Sequence, residues 1–246
     1  HLDEGFGSYS SRSIVMGGSA VIAAAGKLRE GIREAAALYL RCAASDIAFE
    51  PGVAIGPDRS AVDLSEFAGL AANGTYASTK RTYSYGAHAA HVAVDPKTGH
   101  VALLDYLAVE DVGRIINPLT LHGQAVGAVV QGLGGTFLEH FIYDENGQLL
   151  TGSFADYLMP TASDFPNIRA IALELKPSPN NPLGSKGAGE GGIIPVGGVI
   201  ANAVAAALIS FGVEPRELPL SPPRVWQLIQ DAYQATAKPH DRAGLA

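Results

Sequence analysis

Seven of the chain's 29 glycines lie between Gly184 and Gly198. So dense a run removes side chains where the backbone must turn sharply or let something approach closely. With 15 prolines added, a helical bundle is excluded and many turns are expected. Hydrophobic residues at 47% against charged residues at 17% give enough apolar surface to fold, and exclude a disordered or coiled-coil chain. The net charge of −7, with no basic run, leaves no footprint for nucleic acid. Cys42 is the single cysteine of the 246 residues, so no internal disulfide, Cys-built zinc site or iron–sulfur cluster can be held by this chain alone. The first residues carry neither an initiator Met nor the order of a signal peptide, so the start is expected to be that of a cut or processed chain.

Periodicity predicts a long helix from about Ser19 to Ala44, entered through Gly17 and Gly18, with Val21, Ala24, Leu28, Ile32, Ala35 and Leu38 at helical spacing. An extended piece near Ile47 to Val53 and a small helix from Asp63 follow. A hairpin is expected about the turn Pro96 to Gly99, its return strand from His100 to Glu110 buried on both sides. A second helix is predicted from His122 to Phe141; its many glycines call for something close to its backbone. A turn at Asp144 to Gly147, a strand from Ile168 to Lys176, a loop opened by Pro177, and helices over Gly198 to Phe211 and Pro222 to Tyr233 complete the reading.

Between Glu190 and Glu214 run 23 uncharged residues, long enough to raise a membrane span. Pro195, its glycines and Asn202 argue instead for a buried helix packing through Ala201, Val204, Ala205 and Leu208. The string Gly187-Ala188-Gly189-Glu190-Gly191-Gly192 has the spacing G-x-G-x-x-G, but no strand is expected to feed it directly and Glu190 would set a carboxylate against phosphates. Two readings of Glu190 stay open on spacing alone. It is a general base whose proton affinity is raised in a dry cavity, or a carboxylate near the N–H groups that open the next helix.

The segment Leu183 to Gly192, LGSKGAGEGG, resembles the glutamate loop of the xanthine oxidase family of molybdenum hydroxylases. Gly5 to Val21, Val109 to Gln131 and Gly147 to Pro160 resemble further segments of that family in the same order. The resemblance implies an α+β fold of mixed sheets and packed helices, the second half of the molybdopterin-binding domain. Residues 1–246 would then be its C-terminal region, with 1–110 and 111–246 as candidate subdomains. It implies a molybdopterin cofactor carrying molybdenum, in relatives often as the cytosine dinucleotide, with the metal held by the pterin dithiolene and by no protein ligand. Glu190 matches the family's catalytic Glu, the general base for hydroxylation with water as oxygen source. Gln124 matches the Gln at the pterin edge, whose amide both donates and accepts. Ser10, Ser11, Arg12 and Ser13 match the segment around the pyrophosphate and dithiolene, where a polar loop capping the next helix is the alternative. By the same resemblance Lys186, Gly187 and Gly189 lie beside the metal-facing loop, with a solvated charge as the alternative for Lys186. Gln131 is a weaker candidate, equally suited to bonding nearby backbone, and His88 and Tyr85 could reach substrate, with a packing role as the alternative.

A molybdenum subunit of this family is much longer, so the resemblance implies a fragment or a split subunit. Its expected partners are the N-terminal half of that subunit as a separate chain, an iron–sulfur subunit with [2Fe–2S] clusters, and a flavin (FAD) or haem-bearing cytochrome subunit. The expected reaction is oxidation of an aldehyde, an N-heterocycle or a similar small electrophilic carbon, in the cytoplasm or, through a partner, in the periplasm. The alternative is a non-catalytic assembly or scaffold chain of such a complex. No nucleic acid partner and no membrane span are expected.

Overall fold

The computed structural model describes Gly5, residues 7–165 and residues 167–236. The starting residues 1–4, and Phe6 within the Gly5–Val21 segment, lie outside the described residues. A π-helical turn, Ile14–Gly18, runs directly into helix α1, Ser19–Leu40. The helix stops four residues short of the expected Ala44, because Arg41 turns left-handed at φ 55° and its N–H caps Ala37. Ala36 and Ala37 of α1 pack with Ile47, just before a small antiparallel sheet, and with Ala54 and Val62 of that sheet, β1 (Ala48–Glu50), β2 (Val53–Ile55) and β3 (Ala61–Asp63). Asp63 caps the short 3-10 turn that follows by accepting the Ser65 N–H at 2.8 Å.

The second sheet carries the larger core. Strand β4 (Tyr85–Val94) pairs antiparallel with β5 (Val101–Asp111), and β6 (Ile168–Leu173) returns parallel to β5 after helix α2 (Pro118–Phe137). Tyr106 and Ala108 of β5 are buried against Val129 and Leu133 of α2, Ile200 and Val204 of α3 (Val196–Ala207), and Val225 and Ile229 of α4 (Pro222–Thr236). Burial of β5 on both sides, expected from its few polar positions, is met on one face only. Tyr106, Ala108 and Glu110 are buried, whereas on the other face Leu107 and Val109 are half-buried, Asp105 pairs with Arg169 in solvent, and of these alternate positions only Asp111 is buried.

Helix α2 begins four residues before the expected His122. Asn117 accepts the N–H groups of Leu119 and Thr120, and Pro118 occupies the first turn, where its missing N–H costs nothing. Its glycines divide into two kinds. A Cβ on Gly132 would lie 2.6 Å from Val196 of α3, while Gly123, Gly127 and Gly135 have no neighbour within 4 Å. Helix α3 is the centre of the 23-residue apolar run, with Val196, Ile200 and Val204 fully buried in the core. Among the described residues, no helix is long and apolar enough to cross a membrane.

Candidate functional site

The glycine-rich loop is fastened at its start to the end of β5. Lys186 N–H donates to Val112 O at 2.8 Å and Arg114 N–H to Gly184 O at 2.9 Å. Asn181 Nδ2 holds Ser185 O at 2.8 Å, and the Thr82 hydroxyl holds Lys186 O at 2.6 Å. The Lys186 ammonium lies 2.9 Å from Asp111 Oδ1 and 4.1 Å above the Tyr85 ring, with the two charged side chains only 6% and 2% exposed. Burial pushes the Asp111 carboxyl up, but the Gly113 N–H bond and the Lys186 ammonium outweigh it and hold the group below the usual carboxylate range. Lys186, expected beside the cofactor, thus has its ammonium paired with Asp111 while its backbone N–H and C=O fasten the loop. No strand feeds the G-x-G-x-x-G string: β6 ends at Leu173, and Ser185 makes only an isolated bridge to Gly113. The dinucleotide reading therefore lacks its strand-turn-helix context.

Beyond Lys186 three distant segments converge. Gln124 of α2 donates from Nε2 to Gly189 O at 2.9 Å, and Ser11 donates its hydroxyl to Glu190 Oε2 at 2.6 Å. Gly187, at φ 81°, has no room for a side chain, since a Cβ there would lie 1.8 Å from Ser11 O. On the other side a Cβ on Gly192 would lie 2.6 Å from Ala125 O of α2. These glycines let the loop lie against two backbones at once. Ser10 and Ser11 both take left-handed backbone angles, φ 52° and 53°. Side chains other than glycine rarely adopt that region, at a cost of about 1–3 kcal/mol each.

A cavity of about 590 Å³ is lined by Ser10, Ser11, Ser13, Gln124, Gly187, Gly189 and Glu190 of the expected residues. Arg12 does not line it; its guanidinium stacks on Tyr9 and bonds the Tyr9 hydroxyl at 2.7 Å. Arg12, Lys186, Tyr85 and His88 line instead a second cavity of about 900 Å³. The two cavities share Tyr9, Ser10, Ser11 and Glu190. Gln131 lies further along α2, exposed and away from both. Glu190 itself is exposed, so the dry enclosure expected for it is not supplied by these residues. Sequence reasoning missed Arg114, Asn117 and Thr120 in the lining of the first cavity. The Asn117-Pro118 pair is the signal for two of them, because it marks a helix start whose cap is Asn117 and whose first turn holds Thr120.

His88, read as a weak candidate, is a packed residue. Its Nδ1 lies 2.9 Å from the Tyr106 hydroxyl and its Nε2 3.4 Å from Glu110 Oε1. Burial and the Glu110 charge push the Tyr106 phenol up, so it stays a hydrogen-bond donor. Glu110 leans over Gly191, where a Cβ would lie 1.9 Å from its Oε2.

Residues 1–166 match the molybdopterin cofactor-binding domain family. The chain belongs to that family. It is 38% identical to the 6-hydroxypseudooxynicotine dehydrogenase complex subunit gamma of Paenarthrobacter nicotinovorans, over 95% of this chain and 31% of that protein. To the nicotine 6-hydroxylase large subunit of the same organism it is 36% identical over 90% of this chain and 29% of that protein. Among solved structures, quinoline 2-oxidoreductase from Pseudomonas putida 86 superposes with a TM-score of 0.82 at 36% identity, covering 92% of this chain and 31% of that one. A Cu,Mo-CO dehydrogenase superposes equally well, at 0.82 and 26% identity, over 93% of this chain and 31% of that one. The chain thus spans about a third of the length of the molybdenum hydroxylase subunits it matches, and its mixed α+β fold is theirs.

Proposed function

We propose that this chain is the C-terminal part of the molybdopterin-binding subunit of a molybdenum hydroxylase, and that Glu190 is its general base. The observation that carries the reading is the meeting of Ser11, Gln124 and Glu190, from three distant segments, around one glycine-rich cavity. The residues present suit a pterin carrying phosphates. The cavity's volume of about 590 Å³ falls in the range of cofactor sites, and hydroxyls, amides and one guanidinium line it. Ser10, Ser11 and Ser13 would face the phosphate side, with Gln124, Gly187 and Gly189 on the pterin side; Arg12 and Lys186 act on this set from the neighbouring cavity. When bound, the cofactor supplies a metal that accepts two electrons from the substrate carbon and delivers an oxygen derived from water. What this chain adds is one carboxylate at the junction of the two cavities, able to take a proton there and to return it.

The exposed Glu190 and the 78% exposed Ile194 beside it leave the substrate side open. We infer that the rest of the subunit, as a separate chain, closes it, and that iron–sulfur and flavin or cytochrome chains take the electrons. Relatives named for nicotine, 6-hydroxypseudooxynicotine and quinoline make an N-heterocyclic ring the first substrate class to assay, with aldehydes next. The cytosine dinucleotide form of the cofactor and a cytoplasmic complex belong to the same proposal. The test is to purify the native complex and assay molybdenum, pterin and turnover with and without Glu190→Gln. Retained metal with lost turnover is expected. A wild-type complex containing neither molybdenum nor pterin overturns the reading, and so does a Glu190→Gln complex that turns over normally.

A further inference from the structure

We propose that Ser11 is a positioning residue for Glu190, a role distinct from contact with the cofactor. The inference rests on Glu190 being the base. Three observations carry it. The Ser11 hydroxyl donates to Glu190 Oε2 at 2.6 Å, the length of a charge-assisted O–H···O bond. The backbone that delivers it is strained, since Ser10 and Ser11 in succession sit at φ 52° and 53°. Strain of this kind persists only where the surroundings over-determine it, and it gathers at functional sites. Those surroundings are visible on the other side of the contact. Gly187 and Gly189 have given up their side chains to Ser11, with virtual Cβ atoms 1.8 Å from Ser11 O and 3.2 Å from both its Cα and its Oγ. The loop that carries Glu190 is thus moulded around the residue that bonds it.

The consequence is rotational control. Glu190 is exposed, and among the described residues its carboxylate has one side-chain hydrogen-bond partner, the Ser11 hydroxyl. One oxygen is tied to Ser11, which leaves Oε1 as the oxygen free to meet a proton donor at the junction of the two cavities. A hydroxyl suits this task because it donates to a carboxylate and can accept from a carboxyl O–H, so the link survives the arrival of the proton. Alanine would keep the strained backbone and lose the link. Glycine would relax the backbone and lose it too.

The experiment compares Ser11→Ala and Ser11→Gly with wild type in the complete molybdenum-loaded complex. Each sample is assayed for molybdenum and pterin content, for kcat and KM separately, and for the Glu190 side chain in a crystal structure of the complex. The expected result is kcat per bound molybdenum lower by about tenfold to a hundredfold in both variants, the cost of a misplaced catalytic group, and KM within about twofold. Glu190 should then occupy more than one rotamer. Ser11→Gly removes the positive-φ constraint and is the variant that folds if Ser11→Ala does not. Unchanged kcat with a single Glu190 rotamer overturns the proposal. A fall in kcat that only tracks lost molybdenum overturns it as well, making Ser11 a cofactor ligand alone. If Glu190→Gln abolishes turnover while both Ser11 variants behave as wild type, the positioning role fails and the general-base reading stands.

Discussion

The two ends of the glycine-rich loop are built on opposite principles. At Lys186 charge is buried and matched: ammonium, carboxylate, backbone N–H and backbone carbonyl each have a partner, and Tyr85 closes over the cation. At Glu190, four residues on, the carboxylate is exposed and is held by one hydroxyl on a strained backbone. A buried ion pair tolerates no loss of either partner, because the survivor is left charged in a poor solvent. An exposed carboxylate can change its proton state at little structural cost. The first arrangement fixes where the loop sits, and the second leaves the carboxylate at its tip accessible, as the proposed base requires.

The contrast can be broken at the buried end with the largest effect. Lys186→Met should destabilise the protein by about 3–5 kcal/mol, read from denaturant midpoints of the complex, because Asp111 is left buried and unpaired. A loss below about 1 kcal/mol would show that the pair is no anchor. The same pair sets an acid limit. The Asp111 carboxyl is depressed in the folded state, so its contribution is present above the ordinary Asp value of about 4 and is lost as pH falls through the lower, folded value. Stability measured against pH should therefore fall on the acid side, and Asp111→Asn should flatten that fall while lowering stability at neutral pH.

Gly187→Ala comes next, since a Cβ would strike Ser11 O at 1.8 Å on a backbone already at φ 81°. A loss of about 1–3 kcal/mol is expected, together with reduced molybdenum content, assayed by metal analysis. Asn117→Ala removes the cap of α2 and should cost about 1 kcal/mol in thermal or denaturant unfolding, with Gln124 still reaching Gly189. The exposed end should show the smallest effect and the opposite sign. Ser11→Gly relieves a positive φ and should raise stability by a few tenths of a kcal/mol, even as turnover falls. If it destabilises as strongly as Lys186→Met, the two ends are not different in kind.

Much of the fold was legible because local signals and burial agreed. The hairpin about the turn Pro96 to Gly99 follows from turn chemistry, and Asp95 just before it accepts the Lys97 N–H at 2.9 Å. Helix α3 followed from an apolar run too short in its helical part to span a membrane, and it fills the core. Errors fell at boundaries and at faces. Helix α2 starts at the Asn117-Pro118 cap, ahead of the His122 that periodicity alone marks, and the helical layer covers one face of β5 where few polar positions predict two. At the site, residue types and order pointed to Glu190 and Gln124, whereas nothing in the spacing could reveal that Ser11 lies 2.6 Å from a residue 179 positions away.

By itself the sequence determined the elements, the concentration of glycine at one loop, the absence of a cysteine framework and the carboxylate at the loop's tip. These are properties of local propensity and composition, which act over a few residues. Only the tertiary structure decided that Lys186 pairs with Asp111, that His88 serves Tyr106 and Glu110, and that Arg12 stacks on Tyr9 and lines the larger cavity but not the smaller. The reason is physical: a charged or hydroxyl side chain is versatile until burial and distance choose its partner, and both are set by segments far apart in the chain.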